Sequence, residues 1–162
     1  MRRTVGIAAG IIGAAILLVV AQSCGDSTAP KPPTYTATLS GANEKPNAIT
    51  STGTGVATFV DLGTEIDWTL QFDGLTNAFA SHIHGPADAS STANVIINLF
   101  LPVGNTGAPK PITQTGVINN NSNVAVSLDS LRTLFNNGKA YVNIHTTANG
   151  GGEIRGQVAR SN

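Results

Sequence analysis

Three histidines occur in the 162-residue chain, and all of them fall in two short segments, 79-FASHIHGPA-87 and 141-YVNIHTTANGGGEIRGQV-158. Side chains alternate along an extended strand, so His82 and His84 project to one side while Ile83 points to the other. By the same rule Tyr141, Asn143 and His145 share a face. After the glycine-rich turn, Glu153, Arg155 and Gln157 share another, opposite Ile154 and Val158. Two imidazoles from one strand and a third from a second strand form a donor set suited to Zn(II) or Cu(II), with a position left open for water. Glu153 is placed to act as a fourth ligand or as an acceptor that orients an imidazole. The same residues support a second reading, a structural polar cluster of Asn143, Glu153 and Arg155. In it the carboxylate and guanidinium pair with each other, and the histidines donate to carbonyls and fix the strand register. Ser81 and His82 are neighbours on a strand and point to opposite faces, so they do not form a nucleophile–base pair.

The elements that carry these residues are strands. In 65-EIDWTLQF-72, Ile66, Trp68, Leu70 and Phe72 fall on one face and Glu65, Asp67, Thr69 and Gln71 on the other, the period of a half-buried strand. Segments 34–40, 55–62, 94–101, 112–118, 140–146 and 153–159 are similarly rich in β-branched and aromatic residues. Gly, Pro and Asn punctuate the intervals. Only 127-SLDSLRTLFNNG-138 has helical spacing, in Leu128, Leu131, Leu134 and Phe135, with Asn137-Gly138 as a stop. About eight strands with one apolar face each predict an all-β fold, an antiparallel β-sandwich with one short helix, and a closed barrel is the alternative. Crossover helices are missing between strands, which excludes a parallel α/β sheet.

Four motifs in order, 39-LSGANEKP-46, HIHGPA, YVNIHT and GEIRGQV, resemble the CHRD domain, named from its repeats in chordin. The resemblance covers roughly Thr34 to Ala159. It implies a secreted all-β module, an immunoglobulin-like or superoxide-dismutase-like sandwich, with no established catalytic activity. By position, the family's His-x-His-Gly falls on His82, His84 and Gly85, its Asn-x-His-Thr on Asn143, His145 and Thr146, and its Gly-Glu-Ile-Arg-Gly on Gly152 to Gly156. The family's Asn-Pro-x-Gly turn here reads Asn149-Gly150-Gly151-Gly152, without the proline. Three histidines are too few for a dinuclear copper–zinc centre, so a mononuclear Zn or Cu site, redox-active or not, is the alternative to a structural or binding module.

The first 23 residues are of another kind. Arg2 and Arg3 precede VGIAAGIIGAAILLVVA, an uncharged run from Val5 to Ala21, which reads as a secretory signal, with a weak uncleaved membrane anchor as the rival. Ala21-Gln22-Ser23-Cys24 resembles the lipobox of bacterial lipoproteins. This implies lipidation of Cys24, the single cysteine, and attachment of the exported chain to a membrane of the cell envelope. Residues 24–33, with three prolines, suit a flexible tether, and 34–160 form the domain. Lys+Arg and Asp+Glu are equal at 9 each over the whole chain, so removal of Arg2 and Arg3 leaves a slightly acidic domain. Such a balance offers no basic field for nucleic acid, and one cysteine makes neither an intrachain disulfide nor a cysteine zinc cluster. Asp61, Glu65, Asp67, Asp73 and Asp88 are scattered without the spacing of a calcium loop. Segments 102–111 and 119–123 read as polar loops, suited to display or simply to solvated connection.

Overall fold

A computed structural model describes residues 30–100, 111–122 and 124–162. The leader at 1–23, Cys24, the tether as far as 29, and residues 102–110 of the first polar loop lie outside the described residues. Residues 31–162 form one compact unit. Among the described residues no helix is long and apolar enough to cross a membrane.

The strands are β1 (Thr34–Ser40), β2 (Thr54–Asp61), β3 (Glu65–Asp73), β4 (Ala78–His84), β5 (Val95–Phe100), β6 (Ile112–Asn119), β7 (Tyr141–Thr146), β8 (Ile154–Gln157) and β9 (Ala159–Arg160). Among the described residues one α-helix, α1 (Leu128–Asn136), precedes β7, and a single 3-10 turn, Gly41–Asn43, follows β1. The period-two reading holds in detail on β3, where Ile66, Trp68, Leu70 and Phe72 are buried while Asp67 and Gln71 are exposed. The all-β expectation holds, and the pairings are all antiparallel.

The two layers belong to one sheet of order β5-β4-β7-β8-β1-β2-β3-β6, with β9 also on β1. Strands β1, β2, β3 and β6 pair along their lengths and form one layer. The sheet turns at β1, which meets β8 through the single pair Ser40–Arg155 and β9 through Tyr35–Arg160 and Thr36–Ala159. Between those two strands Val158 leaves the ladder, is fully buried, and gives its N–H to the carbonyl of Ala140 at 2.9 Å. The result is a barrel-like sandwich. Tyr35, Leu39, Phe59 and Leu70 enter its core from one layer and Ile83, Val142, Ile144 and Ile154 from the other. At the corner a β-carbon on Gly156 would lie 2.5 Å from the carbonyl oxygen of Thr38, so the close crossing of β1 and β8 requires glycine.

Helix α1 begins at Ser127, whose hydroxyl accepts the N–H of Ser130 at 3.2 Å, and ends before Gly138, which adopts φ +59°. Its Leu128, Leu131 and Phe135 are buried, and the Phe135 ring lies 5.2 Å from Tyr35 and 4.9 Å from Phe59. On its outer side Arg132 clamps both oxygens of Asp61, at 2.8 and 3.0 Å, and also donates to the Gly63 carbonyl. Asp61 is therefore committed to the helix.

Strand β7 departs from simple alternation, since all six of its residues are buried. Its inner face, Val142 and Ile144, meets the core. Its outer face, Tyr141, Asn143 and His145, is covered by the segments before β2 and between β4 and β5, and by the β7–β8 turn. A polar layer is thereby enclosed outside the apolar one.

Candidate metal centre

Register places the polar residues in rows. Strand β4 pairs with β7 so that Ala80 faces His145, His82 faces Asn143 and His84 faces Tyr141, while β7 pairs with β8 so that Asn143 faces Arg155 and Tyr141 faces Gln157. The spacing in each strand already put these side chains on one face. The pairing brings the three imidazoles together, with one ligand atom from each of His82, His84 and His145 lying within 4.8 Å of the others. Ser81 lies opposite the core residue Ile144 and its hydroxyl is buried on the inner side, away from His82.

Two backbone carbonyls determine the tautomers. His84 Nδ1 is 2.9 Å from the carbonyl oxygen of Ala93, and His145 Nδ1 is 3.0 Å from that of Gly150. A carbonyl only accepts, so each Nδ1 carries hydrogen and donates, and each Nε2 of the neutral ring holds a lone pair. Burial pushes all three imidazoles below their ordinary pKa, His82 to about 4 with His145 and His84 adding to the effect. The rings are therefore neutral at pH 7, the state in which histidine ligates. His145 Nε2 accepts from His82 Nδ1 at 2.9 Å. His84 Nε2 is buried with no partner among the described residues.

The remaining site candidates separate. Glu153 is neither a member of the donor group nor a partner of Arg155, which corrects both roles expected of it. Its Oε1 accepts from Ser51 at 2.7 Å, and its Oε2 accepts from Thr146 at 2.5 Å and from Asn149 at 3.0 Å. Burial alone raises its pKa, but these three bonds hold the carboxyl below its ordinary value. The carboxylate thus locks the β7–β8 turn, whose proline is absent. Asn143 donates not to Glu153 but to Glu44 Oε1, at 2.7 Å. Arg155 donates through Nη2 to the carbonyls of Asp88 at 3.0 Å and Ser91 at 2.8 Å.

Two residues outside the expected set complete the layer. Tyr141 stacks on His84, with ring centroids 4.7 Å apart and planes 3° apart, and receives the Arg155 guanidinium 3.6 Å from its own centroid. Its i, i+2, i+4 relation to Asn143 and His145 was a usable signal. Glu44 is 4% exposed, and burial pushes its carboxyl up to about 7. It arrives from the LSGANEKP motif, and no local pattern indicates that partner.

Of the four buried side-chain polar atoms without a partner among the described residues, His84 Nε2, Asn143 Oδ1 and Arg155 Nη1 all belong to this layer. Such atoms are rare in folded proteins, and three of them gather in this one layer.

The CHRD domain model matches residues 35–158, a span that holds the four motifs and every residue of the histidine layer. Neither the curated proteins nor the solved structures contain a match. The family match supports the role of a binding or structural module. With more than half of its length covered by that model, the chain belongs to the CHRD domain family.

Proposed function

We propose that this CHRD domain is a metal-binding module, lipid-anchored through Cys24 on a bacterial envelope, which holds one Zn or Cu ion on His82, His84 and His145 and carries out no catalysis of its own. The observation that carries the reading is the buried, partnerless Nε2 of His84, in a group whose ligand atoms lie within 4.8 Å of one another. A purely structural cluster leaves that lone pair at a cost of about 1–3 kcal/mol. A bound ion removes the cost.

The tautomers support the same reading. Ligating histidines characteristically donate their second nitrogen to a carbonyl or carboxylate, and both His84 and His145 do so. The 2.9 Å separation of His82 Nδ1 and His145 Nε2 matches two nitrogens each about 2.0–2.1 Å from a shared ion at a near-right angle. Metal entry requires that His82 present a lone pair in place of its Nδ1 hydrogen and that the three nitrogens, within 4.8 Å of one another, close around the ion.

The test is metal analysis of untagged protein after reconstitution with Zn and with Cu, with His84→Ala and His145→Ala as controls. One ion per chain in the parent and loss in both variants is the expected result. Absence of stoichiometric metal in the parent overturns the proposal. The anchor is tested separately by Cys24→Ser, which is expected to release the protein from the membrane fraction. Equal membrane association in the variant overturns that part alone.

A further inference from the structure

Arg155 is the buried cation of this layer, and among the described residues no carboxylate touches it. It is 1% exposed, yet the ion pairs among the described residues are made by Arg132 and Lys139 and not by Arg155. Its Nη2 bonds neutral carbonyls, and its Nη1 has no partner among the described residues. The carboxylates of the neighbourhood are engaged elsewhere: Glu44 accepts from Asn143, and Glu153 from Ser51, Thr146 and Asn149. The buried guanidinium therefore meets its opposing charges, Glu44 and Asp88, only through space, without an ion-pair contact.

The position of that cation gives it a consequence. Strand order places Tyr141 on β7 between His84 on β4 and Arg155 on β8. The guanidinium lies over the tyrosine ring at 3.6 Å, and the tyrosine ring lies parallel to His84 at 4.7 Å. A fixed positive charge is thus stacked through one aromatic ring onto a ligand of the proposed centre. Among the described residues that centre brings three neutral imidazoles and no anionic donor.

We propose that Arg155 sets the charge of the ion which the three-histidine centre accepts, favouring monovalent Cu(I) over divalent Zn(II) or Cu(II). The inference rests on the metal-binding reading above. Three neutral ligands leave the full ionic charge facing the guanidinium, so a divalent ion meets twice the repulsion of a monovalent one. One extra unit charge about 10 Å from a fixed charge, in an effective dielectric of about 20, changes the relative affinity about tenfold. Imidazole suits zinc and copper alike, so the donor type does not decide between the two ions. Charge is therefore the variable to test.

The experiment measures Cu(I) affinity by anaerobic competition with bicinchoninate and Zn(II) affinity by competition with a chromophoric chelator, on the untagged full chain. Relative to the parent, Arg155→Gln is expected to shift the Cu(I)-to-Zn(II) affinity ratio about tenfold toward zinc, and Arg155→Lys is expected to retain it. Glu44→Gln at pH 8 keeps an acceptor for Asn143 while removing the opposing charge, and is expected to move the ratio the other way. It serves as the second variant if Arg155→Gln does not fold. A ratio unmoved in the folded Arg155→Gln or Glu44→Gln protein overturns the inference and leaves the centre standing. Failure of the parent to bind either ion overturns instead the reading on which it rests.

Discussion

His145 Nε2 lies 2.9 Å from His82 Nδ1, and the Gly150 carbonyl behind His145 determines which of the two nitrogens holds the hydrogen. Because Gly150 takes the His145 Nδ1 hydrogen, the facing Nε2 has only a lone pair to offer. His82 must then donate, and the contact is a hydrogen bond that an ion can replace. Nitrogen-15 NMR of labelled histidine is expected to show His84 and His145 as Nδ1–H tautomers, with both Nε2 signals moving on addition of Zn. Either ring in the Nε2–H form contradicts the assignment. Substitution of His84 by Ala is expected to weaken metal binding by more than the roughly 10- to 100-fold that an outer partner is worth.

Glu153 is expected to matter for stability and not for metal. Glu153→Ala removes the acceptor shared by Ser51, Thr146 and Asn149, at a cost of about 1–3 kcal/mol in urea unfolding. Metal stoichiometry is expected to remain that of the parent. Loss of the ion in a folded Glu153→Ala protein restores Glu153 to the ligand set.

The corner of the sheet is sensitive to a single methyl group. Gly156→Ala puts a β-carbon 2.5 Å from the Thr38 carbonyl oxygen, and backbone cannot swing aside as a flexible side chain does. Destabilisation of about 1–3 kcal/mol is expected from this overpacking, read as a lower denaturant midpoint. A midpoint equal to that of the parent means that the crossing is looser than described.

Truncation of Phe135 tests the attachment of α1. Its ring is fully buried between Tyr35 and Phe59. Phe135→Ala is expected to cost about 3–5 kcal/mol. A loss below 1 kcal/mol shows that the helix contributes little to the core.

The Asp61–Arg132 clamp gives an acid limb to the stability profile. Hydrogen bonds from Arg132, opposed by burial, lower the Asp61 pKa from its ordinary 3.8. With the folded value below the unfolded one, the unfolded chain binds more protons in the interval between them, so stability falls with falling pH there. The contribution is fully present above pH 3.8 and is lost as pH drops through the folded pKa. Asp61→Asn is expected to cost about 1 kcal/mol at neutral pH and to flatten that limb. An acid limb unchanged in the variant assigns the titration to another carboxylate.

Much of the architecture was legible from single strands because side-chain alternation is a local property. Ile66, Trp68, Leu70 and Phe72 needed no tertiary information to be assigned to one face, and the leucines at 128, 131 and 134 with Phe135 marked the helix equally well. The same locality put His82 with His84, and Asn143 with His145. Glu153 and Arg155 were also placed on one face, but proximity along a strand did not make them partners. Ser51 and the turn residues hold the carboxylate, and loop carbonyls hold the guanidinium.

The chain by itself therefore determined the strands, the helix and which side chains share a face, since backbone geometry imposes a period of two or 3.6 on any sequence. Tertiary structure alone decided that β4 lies beside β7 in the register that joins His82 to His145. It also decided that Ala93 and Gly150 set the tautomers, and that Glu44 and Arg155 are sealed into the same layer. Those contacts join residues far apart in the chain, and strand pairing and loop closure choose them without leaving a periodic trace in the sequence.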